Sequence, residues 1–212
     1  MPNIKNIIFD LCGPIITIDI GLIDKRLHQF GIKDEQPYSK LYNLGLTKRF
    51  ESNQITTAQF CKELRSILET DISEEQICDA WNTLIVDFKC EHQKLMPKVH
   101  RHYHTFLLSN SDVVNAEYFV NYLNENAGFN FTEQCFDEIF FSYMIGDRKP
   151  SENVFNHILA KHKLNAHETL FIDDCEKHCI GAKKVGLNTI LLQKTIDICE
   201  IFNNDGTLKQ QI

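Results

Sequence analysis

Two hydrophobic patterns divide the chain. Ile7-Ile8-Phe9, Phe106-Leu107-Leu108, Ile139-Phe140-Phe141, Leu170-Phe171-Ile172 and Thr189-Ile190-Leu191-Leu192 are short apolar runs without alternation. Such runs suit strands buried on both faces. Helical spacing fills the gaps between the later runs. A helix led by Pro97 is predicted to run to about Tyr103. Val113, Val114, Phe119, Val120 and Leu123 form an amphipathic stripe, and Pro150-Ser151 opens a helix carrying Val154, Phe155, Ile158 and Leu159. A further helix follows Asp174 and stops at Gly186. This strand–helix alternation predicts an α/β fold with a doubly wound parallel sheet, to which the first run belongs although a long segment separates it in sequence.

After Pro14 the sequence Ile15 to Asp19 stays extended, and from there to about Leu95 the segment reads as roughly four helices and no strand. Ile23, Leu27 and Phe30 share a face that Gly31 ends, and Leu41, Leu44 and Phe50 suggest a second helix. Thr56 with Gln59 and Ser73 with Gln76 are two capping boxes, the second flanked by Ile72 and Ile77 at staple positions. The stripe continues through Trp81, Leu84 and Ile85. The expected organisation is a core built from residues 1–16 and 96–212 and an inserted helical domain over 17–95. The tail beyond Cys199 is polar and reads as peripheral.

Composition narrows the function. Hydrophobic residues make up 43% of the 212, enough for a proper core. The formal charge of -7 argues against non-specific nucleic-acid binding, though a site can be locally positive. No apolar run approaches the ~18 residues of a membrane span. Asp10 and Asp19 interrupt the apolar start and no small-residue cleavage site follows, so no signal peptide is expected. Eight scattered cysteines without a paired framework fit reduced thiols in the cytoplasm.

The strand ends carry the chemistry. Asp10 alone reads equally as a turn cap before Gly13 or as a site carboxylate. Ser109 with Asn110, Lys149 in Asp147-Arg148-Lys149-Pro150, and Asp173 with Asp174 read as three later strand ends carrying polar groups. In a parallel sheet the carboxyl ends of the strands share one edge, where ligands bind. A carboxylate can attack phosphorus, a hydroxyl and an amide can hold phosphoryl oxygens, and a lysine can neutralise them. Two further carboxylates suit Mg²⁺, which prefers oxygen ligands.

In these four motifs the sequence resembles the haloacid dehalogenase (HAD) superfamily. They are Phe9-Asp10-Leu11-Cys12-Gly13, Leu107-Leu108-Ser109-Asn110, Arg148-Lys149-Pro150 and Phe171-Ile172-Asp173-Asp174, the last followed by a helix with Gly181-Ala182 and Gly186. The resemblance covers nearly the whole chain and is nearest to the glucose-1-phosphatase and epoxide hydrolase amino-terminal group. It implies a Rossmann-like core with a helical C1 cap that closes over the site and selects the substrate. It further implies Asp10 as nucleophile, with Ser109, Asn110 and Lys149 on the phosphate. Asp10, Asp173, Asp174 and the carbonyl of Cys12 would serve Mg²⁺. The implied activity is a phosphatase of a small phosphorylated metabolite, such as a sugar phosphate, in a monomer or homodimer.

The departures define an alternative. Family phosphatases usually carry a second aspartate, a general acid and base, where this chain has Cys12. Pro14 removes a backbone donor beside the phosphate loop, and His178 stands where Asn or Asp is usual. The competing reading is a catalytically impaired phosphate-binding or regulatory protein. Cys12 and Cys175 admit a redox or soft-metal role, but a packed cysteine is the commoner case. His100, His102 and His104 read as surface or hydrogen-bonded residues, and Lys48, Arg49 and Glu51 in the cap either reach the substrate or form a solvated helix face, the commoner case.

Overall fold

The computed structural model describes residues 3–193 and 195–210. Its centre is strand β1 (Asn6–Phe9), which leads through a tight turn to β2 (Thr17–Ile18). Helices α1 (Gly21–Gln29), α2 (Pro37–Asn43), α3 (Leu46–Glu51), α4 (Thr57–Leu68) and α5 (Glu74–Trp81) follow, then β3 (Ile85–Asp87). The chain returns through α6 (Cys90–His100) to β4 (His104–Ser109), α7 (Val113–Ala127), α8 (Phe131–Cys135), β5 (Glu138–Phe141) and α9 (Ser142–Ile145). It finishes with α10 (Glu152–His162), β6 (Thr169–Asp173), α11 (Glu176–Lys184), β7 (Asn188–Leu191) and a 3-10 turn at Ile198–Glu200.

Five strands pair in parallel in the order β5-β4-β1-β6-β7. The strand period of two assigns the apolar run to two layers. Ile7 and Phe9 enter one core with Leu107 and Ile172, whereas Ile8 enters another with Phe106, Leu108 and Phe171. A strand sandwiched between two helical layers has no polar face, which is why the runs show no alternation. Phe9 pairs with Leu107 on one side and Ile172 on the other, so Asp10 and Asp173 leave adjacent strands at the same level.

The insert differs in detail from the sequence expectation. Both capping boxes form, with Thr56 Oγ1 accepting from Gln59 N at 3.2 Å and Ser73 Oγ accepting from Gln76 N at 3.2 Å. The single helix expected over Leu41 to Phe50 is two, broken at Gly45, whose φ of 79° favours glycine. Leu44 lies at that break and is 62% exposed rather than on the buried face. The segment also contains a strand: Ile85–Asp87 pairs antiparallel with Thr17–Ile18, which lies in the stretch expected to be extended, and the two form a ribbon at the ends of the insert. So short a pair, joined across the whole insert, leaves no local periodicity to read.

Two more corrections follow from packing. Pro97 lies inside α6 rather than opening a helix, and α6 ends at His100 rather than near Tyr103. His92, Leu95, Met96 and Val99 form one buried stripe along it, and that burial carries the helix through the bond the proline removes. The tail is not peripheral: Ile198, Ile201 and Phe202 are buried, and the Phe202 ring lies 6.3 Å from that of Phe9.

Candidate active site

The floor of the site is a buried lysine held between two carboxylates. Lys149 is 1% exposed, and its Nζ lies 2.7 Å from Asp10 Oδ1 and 2.9 Å from Asp173 Oδ2. Burial opposes the ammonium charge, but Asp10 and Asp173 outweigh it and hold its pKa above the ordinary lysine value. Burial, reinforced by Asp173 and Asp174, pushes the Asp10 carboxyl up against the pull of Lys149. Asp173 is equally buried yet held below the usual carboxylate range by Lys149 and His178. His178 Nδ1 approaches it at 2.9 Å and the Cys175 N–H donates to it at 2.7 Å. The residue that departs from the family pattern thus anchors Asp173.

The neighbouring backbone is shaped around these groups. Gly13 has a φ of 107°, and a Cβ there would lie 2.4 Å from Asp174 Oδ2. Only glycine lets that carboxylate sit against the first loop. At Gly181 a Cβ would lie 2.2 Å from the carbonyl oxygen of Pro150, so α11 presses on the loop that presents Lys149. Asn110 clamps the same loop: its Oδ1 accepts from Lys149 N at 2.8 Å and its Nδ2 donates to Lys149 O at 3.1 Å. Both ends of the Asn110 amide are thereby engaged with backbone. Ser109 Oγ is 2.9 Å from Ser111 Oγ.

Asp10, Cys12, Ser109, Asn110, Lys149 and Asp174 line one cavity of about 740 Å³, with Asp173 in the floor beneath. Burial, and then the Asp10 charge, raise the Cys12 thiol above its ordinary value, so it keeps its proton. Oxygen atoms of Asp10, Asp173 and Asp174 lie within 4.8 Å of one another. Three carboxylates around one lysine leave surplus negative charge, and burial followed by Asp173 already raises Asp174. An all-oxygen set of this charge suits a hard divalent cation such as Mg²⁺.

Helices of the insert supply the opposite wall, where the less favoured of the two sequence readings holds for Glu51 and Tyr38 was not singled out. Glu51 is not on a solvated face: its side chain is 12% exposed and lines the cavity, with Oε2 2.7 Å from Arg148 Nε. Arg49 does point outward, pairing with Glu63 at 2.7 Å, and Lys48 sits 4.6 Å over the Tyr42 ring. Tyr38 lines the same wall. The three histidines near β4 each find a separate partner: His100 with Thr105, His102 with the Asp205 carbonyl and His104 with Asp137. Among the described residues they form no shared donor set.

Comparison with known proteins bears on the family and the fold. The sequence profile of the haloacid dehalogenase-like hydrolases matches residues 7–192. A D-ribitol-5-phosphate phosphatase of Bacteroides thetaiotaomicron is 24% identical over 88% of this chain and 90% of its own length. A HAD family enzyme of the same organism, solved with magnesium and inorganic phosphate, is 27% identical and superimposes with a TM-score of 0.84 over 94% of this chain and 100% of its own. A predicted HAD-like family hydrolase of Porphyromonas gingivalis is 26% identical, with a TM-score of 0.77 over 89% of this chain and 90% of its own. Together with the strand-end carboxylates around Lys149, the profile match over most of the chain establishes that this protein belongs to the haloacid dehalogenase-like hydrolases.

Proposed function

We propose that this hydrolase is a Mg²⁺-dependent phosphatase of a small phosphomonoester, such as a sugar or polyol phosphate, acting through an aspartyl-phosphate on Asp10. The observation that carries the reading is Lys149 placed between Asp10 and Asp173 on a cavity floor, with Asp174 facing the same space. The phosphatase relative and the magnesium- and phosphate-bound relative support it.

In this reading Lys149 orients Asp10 and neutralises phosphoryl oxygens, and the Ser109 hydroxyl donates to one of them. Asn110 acts mainly by fixing the Lys149 backbone. Asp10 and Asp174, with Asp173 behind them and the Cys12 carbonyl nearby, would hold the metal. Bound there, Mg²⁺ would offset repulsion between an anionic nucleophile and an anionic phosphate. A carboxylate oxygen of Asp10 attacks phosphorus, the ester P–O bond breaks, and the leaving oxygen takes a proton. Water then attacks the phosphorus of the aspartyl-phosphate, freeing Asp10 and inorganic phosphate. Cys12, as a neutral thiol held above its ordinary value, is a weak donor to the leaving oxygen and a poor base for the water.

Residues 17–95 act as the cap in this proposal, and 1–16 with 96–212 as the catalytic core. The working unit in this proposal is a monomer or a homodimer. Eight free cysteines support a reducing, cytoplasmic setting, and no helix among the described residues is long and apolar enough to cross a membrane. The Cys12 thiol favours one second reading, a phosphate-binding protein that no longer turns over. A screen of phosphorylated metabolites with Mg²⁺ separates the two. Turnover is expected, and Asp10→Asn should abolish it; retained activity in that variant would assign the nucleophile elsewhere. Ligand-induced thermal shifts with no product across the screen would favour the second reading.

A further inference from the structure

The insert and the core meet inside the cavity at a polar pair whose geometry is incomplete. Glu51 is the last residue of α3, and Arg148 immediately precedes Lys149. Glu51 Oε2 and Arg148 Nε are 2.7 Å apart and shielded from solvent, yet neither has a directed hydrogen bond among the described residues. The contact is therefore an ion pair with unused hydrogen-bonding directions, which is costly in a buried setting. The other Glu51 oxygen and the terminal nitrogens of Arg148 are not sealed in this way, and both residues line the cavity. Tyr38 adds a phenol to the same wall, and the Glu51 charge, after burial, raises that phenol's pKa. Glu51 is also fixed from behind, where Ser142 Oγ donates to its carbonyl at 2.7 Å.

We infer that Glu51, Arg148 and Tyr38 form a hydroxyl-reading wall that selects phosphate esters whose other end is an uncharged, polyhydroxylated chain. The inference rests on the phosphatase reading for the position of the phosphate at Lys149. The chemistry of the wall determines the class. A hydroxyl can accept from Arg148 and donate to Glu51 at once. A second anionic group on the substrate would gain Arg148 but meet the Glu51 carboxylate. An ammonium group would gain Glu51 but meet the Arg148 guanidinium. A plain alkyl chain would leave every one of these polar groups unmet, the case in which a site rejects a deoxy analogue most strongly. Of these four kinds of group, only a hydroxyl meets both charges without displacing either. The cavity of about 740 Å³ is large enough for a short polyol phosphate.

The test compares a pentitol phosphate, pentyl phosphate, phosphoglycerate, aminoethyl phosphate and phenyl phosphate with the Mg²⁺-loaded protein. The pentitol ester should exceed the pentyl ester in kcat/KM on the order of 10²-fold or more, with the two charged esters also poor. Glu51→Gln and, separately, Tyr38→Phe should each lower kcat/KM at least about 10-fold more on the pentitol ester than on phenyl phosphate, mainly through KM. Equal losses on both, or no polyol preference, would overturn the inference while phenyl phosphate turnover kept the phosphatase reading intact. Calorimetric binding of the same esters to Asp10→Asn with Mg²⁺ gives a readout without catalysis. Selective binding of the pentitol ester, without turnover by the wild type, would retain the hydroxyl-reading wall and remove the phosphatase. Unselective binding there would overturn the wall on its own.

Discussion

The floor and the wall of the cavity each hold buried charge, but they are put together differently. On the floor, Lys149 meets Asp10 and Asp173 at hydrogen-bonding distance, and Asp173 also takes the Cys175 N–H and His178. On the wall, Glu51 and Arg148 touch without a directed bond. The two floor carboxylates come from adjacent strand ends of one sheet, where parallel register sets their spacing, and Lys149 is brought to them by the loop after α9, which Asn110 clamps. The wall pair joins a helix of the insert to a loop of the core, so its geometry depends on how two layers pack. A rigid, satisfied floor suits a fixed phosphoryl reaction, and an unsatisfied wall suits recognition of a partner that completes it.

The sharpest way to break that contrast is Lys149→Met. It leaves Asp10 and Asp173 buried without their shared cation, a change expected to cost about 3–5 kcal/mol of stability. Activity should be lost with it. Mg²⁺ should recover part of the stability, because the carboxylates then have another cation to hold. Denaturant unfolding with and without Mg²⁺ checks this. A loss below about 1 kcal/mol without metal would mean that the floor tolerates charge as freely as the surface does.

The same contrast explains which parts of the site could be read from sequence. Asp10, Ser109 and Asp173 each follow or end an apolar run, so local pattern plus parallel topology was enough to bring them together. The helix caps at Thr56 and Ser73 were legible for the same reason, since each motif lies within four residues. Glu51 was not, because α3 places Lys48, Arg49 and Glu51 on different sides and only tertiary packing decides which faces in. The β2–β3 ribbon joins Thr17 to Asp87, and the Phe202 ring reaches Phe9 from the far end of the chain. Neither contact leaves a trace in a local window. Asn110 lay between these cases: its position was evident, but its clamp on Lys149 needed the loop conformation.

A second prediction addresses the wall through pH. Burial, opposed by Arg148, raises the Glu51 carboxyl from 4.5 to about 7. The native state then binds more protons at Glu51 than the unfolded state between those values, so this group lowers stability as pH rises through the window. Glu51→Gln resembles the protonated form at all pH values. It should be nearly neutral at pH 4.5 and stabilising at pH 8, by about 1–3 kcal/mol. Melting curves of both proteins at the two pH values provide the comparison. A variant that is less stable at pH 8 would show that the Arg148 pair outweighs the burial of Glu51, making the wall as self-satisfied as the floor.

The smallest expected effect, about one factor of ten, concerns Cys12, which belongs to the floor yet breaks its pattern. Its thiol is a weak proton donor to a leaving oxygen and a poor base for water. General acid–base assistance is typically worth about 10²–10⁴-fold in rate, so a full replacement would recover much of that range. Only part of it is expected from Cys12→Asp, because Pro14 narrows the loop and a further carboxylate joins Asp10, Asp173 and Asp174. An alkyl ester needs the acid more than an aryl ester, whose leaving group is already stable as an anion. The gain should therefore be larger on pentitol phosphate than on phenyl phosphate, and the wild type should accumulate aspartyl-phosphate that the variant does not. Rapid acid quench of the two proteins reads that intermediate directly. Equal gains on both esters, with the variant folded and binding Mg²⁺, would move the limit from proton transfer to the placement of Asp10. The floor would then be the less finished of the two surfaces.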